Sequence, residues 1–288
     1  MPIELESVSF AYKSADGSEI QALRDISIKI GDGEFVGIMG HTGCGKTTLI
    51  QLMAGLLTPV SGSVLFDGLD INMRDYDRAK LREAVSLVFQ FPEYQLFEST
   101  VERDVAFGLK HSRQSRDEIS ERVRWSLEIM GFDFDLIRKK SPLSLSGGEK
   151  RRVAIAGALV TKPRYLIFDE PIAGLDQMSR NAFLEIIDEL NREGTAVVMV
   201  SHNADAISEY CKRVIIFSDG ELVTDGAVKE VFSDINKLEE LYLNAGTPRT
   251  IGHMLSGHGM EISDKATSYD ELLFAIKSKL QNVERTLH

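Results

Sequence analysis

The residues most clearly suited to chemistry lie between Gly40 and Thr48. The stretch reads GHTGCGKTT and satisfies the phosphate-binding pattern G-x-x-x-x-G-K-[ST] at each fixed position. Glycines let backbone N–H groups converge on one point, and a helix that begins there adds partial positive charge. We therefore predict a nucleotide site that holds phosphate mainly through the main chain. Its predicted residues are Gly40, His41, Thr42, Gly43, Cys44, Gly45, Lys46, Thr47 and Thr48.

The side chains of this loop have different expected tasks. Lys46 is expected to bridge the β- and γ-phosphates, and Thr47 to place its hydroxyl on Mg²⁺. His41 and Cys44 occupy variable positions, where side chains that simply fit are the preferred interpretation. A thiol at a helix N-terminus beside a lysine is nevertheless expected to have a lowered pKa, so we predict that alkylation of Cys44 blocks nucleotide binding. The alternative for the whole stretch is a glycine-rich turn with a chance lysine.

Two carboxylates follow an apolar run, YLIF, at 165–168. Because neighbouring side chains of a strand point to opposite faces, Asp169 can reach a magnesium ion while Glu170 faces the γ-phosphate. We expect Asp169 to hold magnesium through water, and Glu170 to orient and polarise the attacking water. The alternative is an ordinary strand that ends in an acidic turn, which is a weaker explanation beside a phosphate loop.

Alternating strands and helices are predicted to position these residues. The apolar stretch over 34–39 predicts a buried strand before the loop, and residues 48–55 predict a helix after it. Short alternating strands in the first third predict an antiparallel sheet layered on the nucleotide core. The pattern over about 92–162 is helical and charged. After Asp176, helices alternate again with apolar strands, which predicts a mostly parallel sheet covered by helices.

The composition is that of a globular protein. The chain has 288 residues, of which 43% are hydrophobic and 27% charged, enough to bury a large core. No apolar run approaches the roughly 18 to 20 residues that span a bilayer, and we expect no signal peptide at its start. The net charge of −11 disfavours nucleic acid as a partner. Two cysteines, Cys44 and Cys211, favour a reduced cytosolic protein, so another protein is expected to bring it to any membrane.

A longer series of motifs resembles a known family. The series consists of the phosphate loop, Gln90, LSGGE at 145–149, YLIFDE at 165–170, GLD at 174–176 and His202. In this order the motifs resemble the nucleotide-binding subunits of ATP-binding-cassette transporters, over residues 1 to about 235, and LSGGE is the most specific of them. The resemblance implies an ATPase that binds ATP and Mg²⁺. It also implies an α/β fold: a P-loop NTPase (RecA-like) core with an antiparallel β-subdomain, an inserted α-helical subdomain and a small C-terminal helical extension.

The resemblance further implies a role for each matching residue. Tyr12 matches the aromatic that stacks on adenine, although a tyrosine in a sheet face is the alternative. Gln90 matches the glutamine that touches Mg²⁺ or water and senses the membrane partner, and His202 matches the switch histidine that donates to the γ-phosphate. The residues matched to partner-facing roles are Ser146, Gly147 and Gly148, which cap the γ-phosphate of the ATP bound to the other subunit, and Asp176, which communicates across the dimer.

The string LSGGE has a physical reason to act on a second subunit. It opens a stretch over 149–160 whose apolar side and early acidic residue indicate a helix N-terminus. The N–H groups of a helix start form an anion site. The chain's own nucleotide already has such a site at the phosphate loop, so the second is expected to serve a phosphate elsewhere. A head-to-tail dimer with two ATP molecules follows, its second subunit being either another copy or a related chain.

The segment after Gln90 narrows the resemblance. It reads FQFPEYQLFESTV over 89–101 and resembles the same stretch in the ATPase subunits of energy-coupling-factor transporters, which import vitamins or transition-metal ions. Within that group it looks most like the second of the paired ATPases. An apolar patch at Tyr94, Leu96 and Phe97 is expected where a partner docks. The resemblance implies that this partner is the transmembrane scaffold (T) protein, beside a substrate-binding membrane (S) protein, with the chain held peripherally at the cytoplasmic face of the cell membrane.

The expected domains are an ATPase domain over 1–240 and a C-terminal extension over 241–288. In the extension, apolar residues at helical spacing predict an amphipathic helix over 268–282. Such a stripe needs an apolar surface, which is either the chain's own domain or the second subunit, so the extension is a possible dimerisation element. The residues of the stripe are Leu272, Leu273, Ile276 and Leu280.

Other classes of cassette ATPase fit the chain less well. A ribosome-associated ATPase usually carries two cassettes and basic arms, and a chromosome or repair ATPase splits its motifs around a long coiled coil. This acidic chain has one cassette and no long insertion. The cassette of another importer, or of a non-transport assembly complex, remains an alternative because its motifs can be identical. Co-purification of an integral membrane protein would separate these possibilities.

Overall fold

The structure, a computed structural model, describes residues 2–14, 17–110, 112–258, 260 and 268–286. No helix within these residues is long and apolar enough to span a bilayer. The strands are β1 Ile3–Lys13, β2 Glu19–Ile30, β3 Phe35–Gly40, β4 Ser61–Phe66, β5 Leu69–Asp70, β6 Val85–Val88, β7 Tyr165–Asp169, β8 Ala196–Val200, β9 Arg213–Ser218 and β10 Glu221–Ala227. The helices are α1 Lys46–Met53, α2 Arg78–Ala84, α3 Val101–Ala106, α4 Arg116–Ile129, α5 Phe134–Ile137, α6 Gly147–Leu159, α7 Gln177–Arg192, α8 Ala204–Tyr210, α9 Val228–Val231, α10 Ile235–Glu240, α11 Thr247–Gly257 and α12 Tyr269–Thr286.

The first sheet is antiparallel and has the order β2-β1-β4-β5. Its buried face includes Leu5, Ile28 and Val64, which share one hydrophobic cluster with Ile38 of β3 and Leu49 of α1. This burial of alternate side chains is what holds a half-exposed sheet on its neighbour. The predicted antiparallel sheet layered on the nucleotide core is therefore confirmed.

The second sheet has the order β10-β9-β3-β8-β7-β6, and all its pairs are parallel except the hairpin of β9 with β10. Every residue of β3, β7 and β8 is buried, as expected for central strands covered on both faces. Parallel strands place their carboxyl ends at one edge of the sheet, where ligands of open α/β sheets bind. The ends of β3, β8, β7 and β6 are therefore neighbours at that edge.

The chain between β6 and β7 is helical, with α3 to α6 and three short 3₁₀ turns in the described residues. Its buried side chains, among them Val105, Leu127 and Val153, belong to the same hydrophobic cluster as Leu166 of β7. Deep burial of this kind fixes α6 against the sheet, since each large apolar side chain contributes roughly 1.5 to 3 kcal/mol when removed from water. The body of α6 is thereby held against the sheet, while its first residues, Gly147 and Gly148, stay exposed.

The C-terminal helices pack partly on the chain itself. In α12, Leu272 is buried, and it contacts Leu255 of α11 and Ile276. Leu273 and Leu280, which the same helical pattern includes, are each 49% exposed. The predicted helix is therefore present and extends to Thr286, but only half of its apolar stripe is covered by the described chain.

Candidate functional site

A cavity of about 830 Å³ opens where β3, β6, β7 and β8 end. Because these strands are neighbours in the sheet, segments that are far apart in sequence meet around one space. The predicted site residues that line the cavity are Tyr12, Thr42, Gly43, Gly45, Lys46, Thr47, Thr48, Gln90, Asp169, Glu170 and His202.

The loop between β3 and α1 has a backbone that glycine makes possible at two points. Gly40 has φ +151°, and a Cβ there would lie 2.3 Å from the carbonyl oxygen of Phe217. Gly45 has φ +104°, and a Cβ there would lie 2.5 Å from the carbonyl oxygen of Ala22. Helix α1 begins directly after Gly45, and no side chain caps its first N–H groups. These groups are available to an anion, which is the property that the sequence pattern predicts.

Charged and polar groups extend from the same loop. The buried Nζ of Lys46 donates to the carbonyl oxygens of Gly40 at 2.7 Å and His41 at 2.9 Å. The hydroxyl of Thr47 donates to Oδ2 of Asp169 at 2.9 Å, across 122 residues of sequence. Burial raises the pKa of Asp169, and the hydrogen bond from Thr47 opposes that rise. A hydroxyl and a carboxylate oxygen thus lie side by side, which is the kind of ligand that Mg²⁺ prefers.

Glu170 and His202 form a second polar pair. Nε2 of His202 lies 3.3 Å from Oε1 of Glu170, and the backbone N–H of His202 donates to Oε2 at 3.4 Å. Burial raises the pKa of Glu170 to about 7, because a charged carboxylate loses solvation in the cavity wall. Burial, together with the charge of Lys46, lowers the pKa of His202. A carboxyl group that can exchange a proton near neutral pH is the expected property of a general base.

The cavity is lined by Tyr12, which the sequence predicted, and by several residues that it did not predict. Tyr12 is 42% exposed, and its hydroxyl hydrogen-bonds the hydroxyl of Thr48 at 3.0 Å. The unexpected lining residues include Ile20, which pairs with Tyr12 across the β1–β2 hairpin, and Arg180. The register of the β1–β2 hairpin could have indicated Ile20, and the i, i+4 spacing from Asp176 could have indicated Arg180. Neither residue belongs to a recognisable sequence motif. The other lining residues outside the prediction are Gln21, Ala22, Ile172, Ala173, Gly174, Ser201 and Asn203.

Seven predicted site residues are not among those that line this cavity: Gly40, His41 and Cys44 in the phosphate loop, and Ser146, Gly147, Gly148 and Asp176 at two helix starts. Ser146 caps the N-terminus of α6, where its hydroxyl accepts from the N–H of Glu149 and its own N–H donates to that carboxylate at 2.8 Å. Gly147 and Gly148 follow it with open space around their Cα atoms. Asp176 caps α7 and accepts hydrogen bonds from the N–H and hydroxyl of Ser179. These exposed helix starts contribute none of their predicted residues to the lining of the cavity that holds the chain's own phosphate loop.

Two side chains of the phosphate loop also point away from the cavity. Nε2 of His41 lies 3.5 Å from Oδ1 of Asp219, in the turn between β9 and β10. The thiol of Cys44 is 1% exposed and belongs to the cluster beneath the antiparallel sheet. Burial raises the pKa of Cys44 more than the nearby Lys46, 3.7 Å away, lowers it. The predicted lowered pKa of Cys44 is therefore wrong, because the loop turns this side chain inward, away from the helix N-terminus.

We expect iodoacetamide to leave Cys44 unmodified in the native protein at neutral pH, because the thiolate is the nucleophile and a buried thiol neither ionises readily nor meets the reagent. Mass spectrometry of the Cys44 peptide after native and denatured labelling measures this. Cys211, also buried with a pKa raised by burial, is the internal control. Fast native labelling of Cys44 alone would contradict the expectation.

An apolar surface follows Gln90. Phe91, Tyr94 and Phe97 are 42%, 85% and 64% exposed, and the ring of Phe97 meets that of Phe107 edge to face at 4.9 Å. Leu96, expected in the same patch, instead packs partly buried against the main core. The 3₁₀ turn Pro92–Gln95 causes this difference, because it turns Leu96 inward between two outward aromatics. Clustered exposed aromatics of this kind are characteristic of interaction surfaces.

Comparison with known proteins agrees with these features. A family model described as ABC transporter matches residues 23–173. The energy-coupling factor transporter ATP-binding protein EcfA2 of Clostridium perfringens is 40% identical over 283 residues, which are 98% of this chain and 99% of the relative. The protein of the same name from Symbiobacterium thermophilum is 42% identical over 280 residues, 97% of each chain.

Solved structures show the same similarity. The structure of cbiO1 from Clostridium perfringens, part of the ABC transporter complex cbiONQ, aligns with a TM-score of 0.72 at 37% identity and covers 88% of this chain and 98% of its own. A dimeric ATP-binding cassette in a post-hydrolysis state, bound to ADP and Pi, aligns with a TM-score of 0.69 at 29% identity and covers 78% of this chain and 98% of its own. The chain is thus similar over most of its length to ATP-binding subunits of one type of transporter.

Proposed function

The chain belongs to the ABC transporter family as an ATP-hydrolysing subunit of the energy-coupling-factor type, and on this premise we propose that ATP-driven dimer closure and hydrolysis power uptake of a vitamin or transition-metal ion through separate membrane subunits. One observation carries the proposal. The phosphate loop, Asp169, Glu170 and His202 surround one cavity, while the anion-binding helix start at Ser146 lies outside it. Half of a catalytic site is therefore built for a second subunit.

The metal site of such an ATPase fits the residues present. The Thr47 hydroxyl and the Asp169 carboxylate are already in contact, and Gln90 lines the same cavity. In our proposal these three residues hold Mg²⁺ directly or through water. The ion, when bound, supplies positive charge that neutralises the phosphate oxygens.

The chain's own residues then divide the work of hydrolysis. Glu170 takes the proton of the attacking water while the water oxygen bonds to phosphorus and the bond to the ADP oxygen breaks. Lys46 offsets the negative charge of the phosphates. His202, in contact with Glu170, orients that carboxylate and donates to the γ-phosphate. Tyr12, partly exposed on the cavity wall, stacks on the adenine.

The second subunit completes the site in this proposal. The N–H groups at the start of α6, with the hydroxyl of Ser146 and the unobstructed Gly147 and Gly148, cap the γ-phosphate bound to the partner. Asp176, at the exposed start of α7, contacts the partner across the dimer. The two subunits are arranged head to tail, so that each contributes one half of two sites. The half-covered stripe of α12, with Leu273 and Leu280 exposed, adds to the same interface.

Membrane attachment is proposed to come from protein partners. The exposed patch of Phe91, Tyr94 and Phe97 takes the coupling helices of a transmembrane scaffold protein, which in turn binds a substrate-binding membrane protein. The chain then works at the cytoplasmic face of the cell membrane. Its net charge of −11 opposes direct binding to anionic lipid, so the protein contact carries the attachment.

Purification of the tagged chain from detergent-solubilised membranes tests the proposal. We expect an ATP-hydrolysing complex that contains integral membrane proteins, and we expect the double variant Tyr94→Ala, Phe97→Ala to lose them while it still binds ATP. Leu136→Ala is the matched control, because Leu136 is 71% exposed on α5, outside the patch. A wild-type chain that stays soluble and without partners would contradict the membrane role.

A further inference from the structure

A buried arginine links the start of α6 to the segment that follows Glu170. Arg151 lies in the second turn of α6 and is 7% exposed. Its Nη1 donates to the carbonyl oxygen of Ala173 at 2.9 Å, and its Nη2 donates to the carbonyl oxygen of Pro171. A guanidinium presents several donors in a fixed plane, so one side chain can hold two carbonyl groups in one geometry.

The segment that Arg151 holds includes the backbone of Glu170 itself. The N–H of Ala173 donates to the carbonyl oxygen of Glu170 at 3.2 Å, and the N–H of Glu170 donates to Val200 at 3.0 Å. Glu170 has φ +50°, a conformation that costs a non-glycine residue energy and persists only when its surroundings impose it. The hydrogen bonds of Arg151 are part of those surroundings.

The helix that carries Arg151 also packs against the surface turn after Gln90. The charge of Glu93 stabilises the charged guanidinium, against the desolvation that lowers the pKa of Arg151. Oε2 of Glu93 is buried and has no hydrogen-bond partner in the described residues. Glu93 lies in the turn Pro92–Gln95, which packs on α6 and also carries the exposed Tyr94.

We propose that Arg151 is a positioning residue for hydrolysis, which holds Glu170 in its productive conformation and makes that conformation depend on the Glu93 turn and on α6. The inference rests on the proposed role of Glu170 as the base. Arg151 lies outside the lining of the nucleotide cavity, so it acts through the backbone at Pro171 and Ala173. A movement of the aromatic surface or of α6 would reach Glu170 in part through this guanidinium.

The test is the ATPase rate of the full chain, in the assembly in which the wild type hydrolyses ATP. We expect Arg151→Met to lower kcat about 10- to 100-fold, as small misplacements of a reacting group do, with KM and Kd for ATP within about twofold. Arg151→Lys retains the positive charge but loses the two parallel donors of the guanidinium, so its kcat should lie between those of the wild type and Arg151→Met. Arg122→Met is the matched control, because Arg122 likewise donates to two backbone carbonyls, those of Val160 and Thr161, away from Glu170. Its kcat should stay near the wild-type value.

A second variant keeps the inference testable if Arg151→Met does not fold. Glu93→Gln removes one charge at constant shape, and we expect it to lower kcat without weakening ATP binding. In the double variant with Arg151→Lys, the losses should be less than multiplicative, because both changes act on the same electrostatic interaction between Arg151 and Glu93. Multiplicative losses, a wild-type kcat in Arg151→Met, or a loss of ATP affinity equal to the loss of kcat would each overturn it. If Glu170→Gln also remains active, the proposed base itself is wrong; if only the Arg151 variants remain active, only this inference fails.

Discussion

Replacing Glu170 with glutamine is expected to lower kcat for ATP hydrolysis about 10²- to 10⁴-fold, the usual contribution of a general base. Glutamine has the shape of glutamate, so its amide oxygen can still accept from the N–H of His202, which now lies 3.4 Å from Oε2. It cannot take a proton from water. Because Lys46 and Thr47 are unchanged, ATP and Mg²⁺ should bind as in the wild type.

The Glu170→Gln substitution should also change how the subunits assemble. A subunit that binds ATP but does not split it should accumulate as an ATP-bound dimer, which size-exclusion chromatography with and without ATP measures. Glu193→Gln, at the exposed end of α7, is the matched control and should hydrolyse ATP normally and dissociate. Turnover by Glu170→Gln at the wild-type rate would remove Glu170 from the role of base.

Replacing Lys46 with alanine is expected to weaken ATP binding about 100-fold, or about 3 kcal/mol, as the loss of one partner from a desolvated charge pair usually does. The Nζ of Lys46 is held inside the loop by the carbonyl groups of Gly40 and His41, so no other cation can take its place without rebuilding the loop. Alanine also removes one hydrogen bond from each of these carbonyls, of which that of His41 still accepts from the N–H of Cys44 at 3.3 Å. Isothermal titration with ATP and Mg²⁺ measures the effect directly.

Two comparisons separate this loss from a general loss of structure. Lys80→Ala removes a lysine from the exposed face of α2 and should leave ATP affinity unchanged. The unfolding midpoint of Lys46→Ala without nucleotide should stay near that of the wild type, while its rise on adding ATP should be much smaller, since a ligand stabilises only in proportion to its binding. Equal ATP affinity in the wild type and Lys46→Ala would show that the main chain alone holds the phosphates.

The motifs predicted the family and the fold because each of them specifies a local backbone. GHTGCGKT predicts a glycine-rich loop before a helix, and in the structure Gly40, Gly43 and Gly45 of that loop have positive φ. The string LSGGE predicts a helix start, and Ser146 caps α6. The resemblance to cassette ATPases of the energy-coupling-factor type, drawn from these strings and from the segment after Gln90, is confirmed by the relatives.

The predictions for Cys44 and Leu96 failed because the sequence does not show to which side of the local backbone a side chain points. For Cys44, proximity to a helix start and a lysine indicated a lowered pKa, but the direction of its Cβ into the core decides the outcome. Leu96 similarly lies between exposed aromatics yet packs inward. Neighbouring residues in the sequence cannot predict the direction of such a side chain, because the contacts that determine it come from distant segments.

The sequence by itself determined the chemistry available to this protein: the loop that binds phosphate, the two carboxylates after an apolar strand, and a second helix start suited to an anion. These depend on residue types within a few positions of each other, and backbone conformation is largely a local matter. Only the tertiary structure decided which groups work together. It places Thr47 in contact with Asp169 across 122 residues, and it places Ser146 outside the chain's own cavity. It also lets Arg151 of α6 donate hydrogen bonds to carbonyl groups that closely follow Glu170. Strand order and the packing of the helical segment set these distances, and both arise from burying apolar surface along the whole chain.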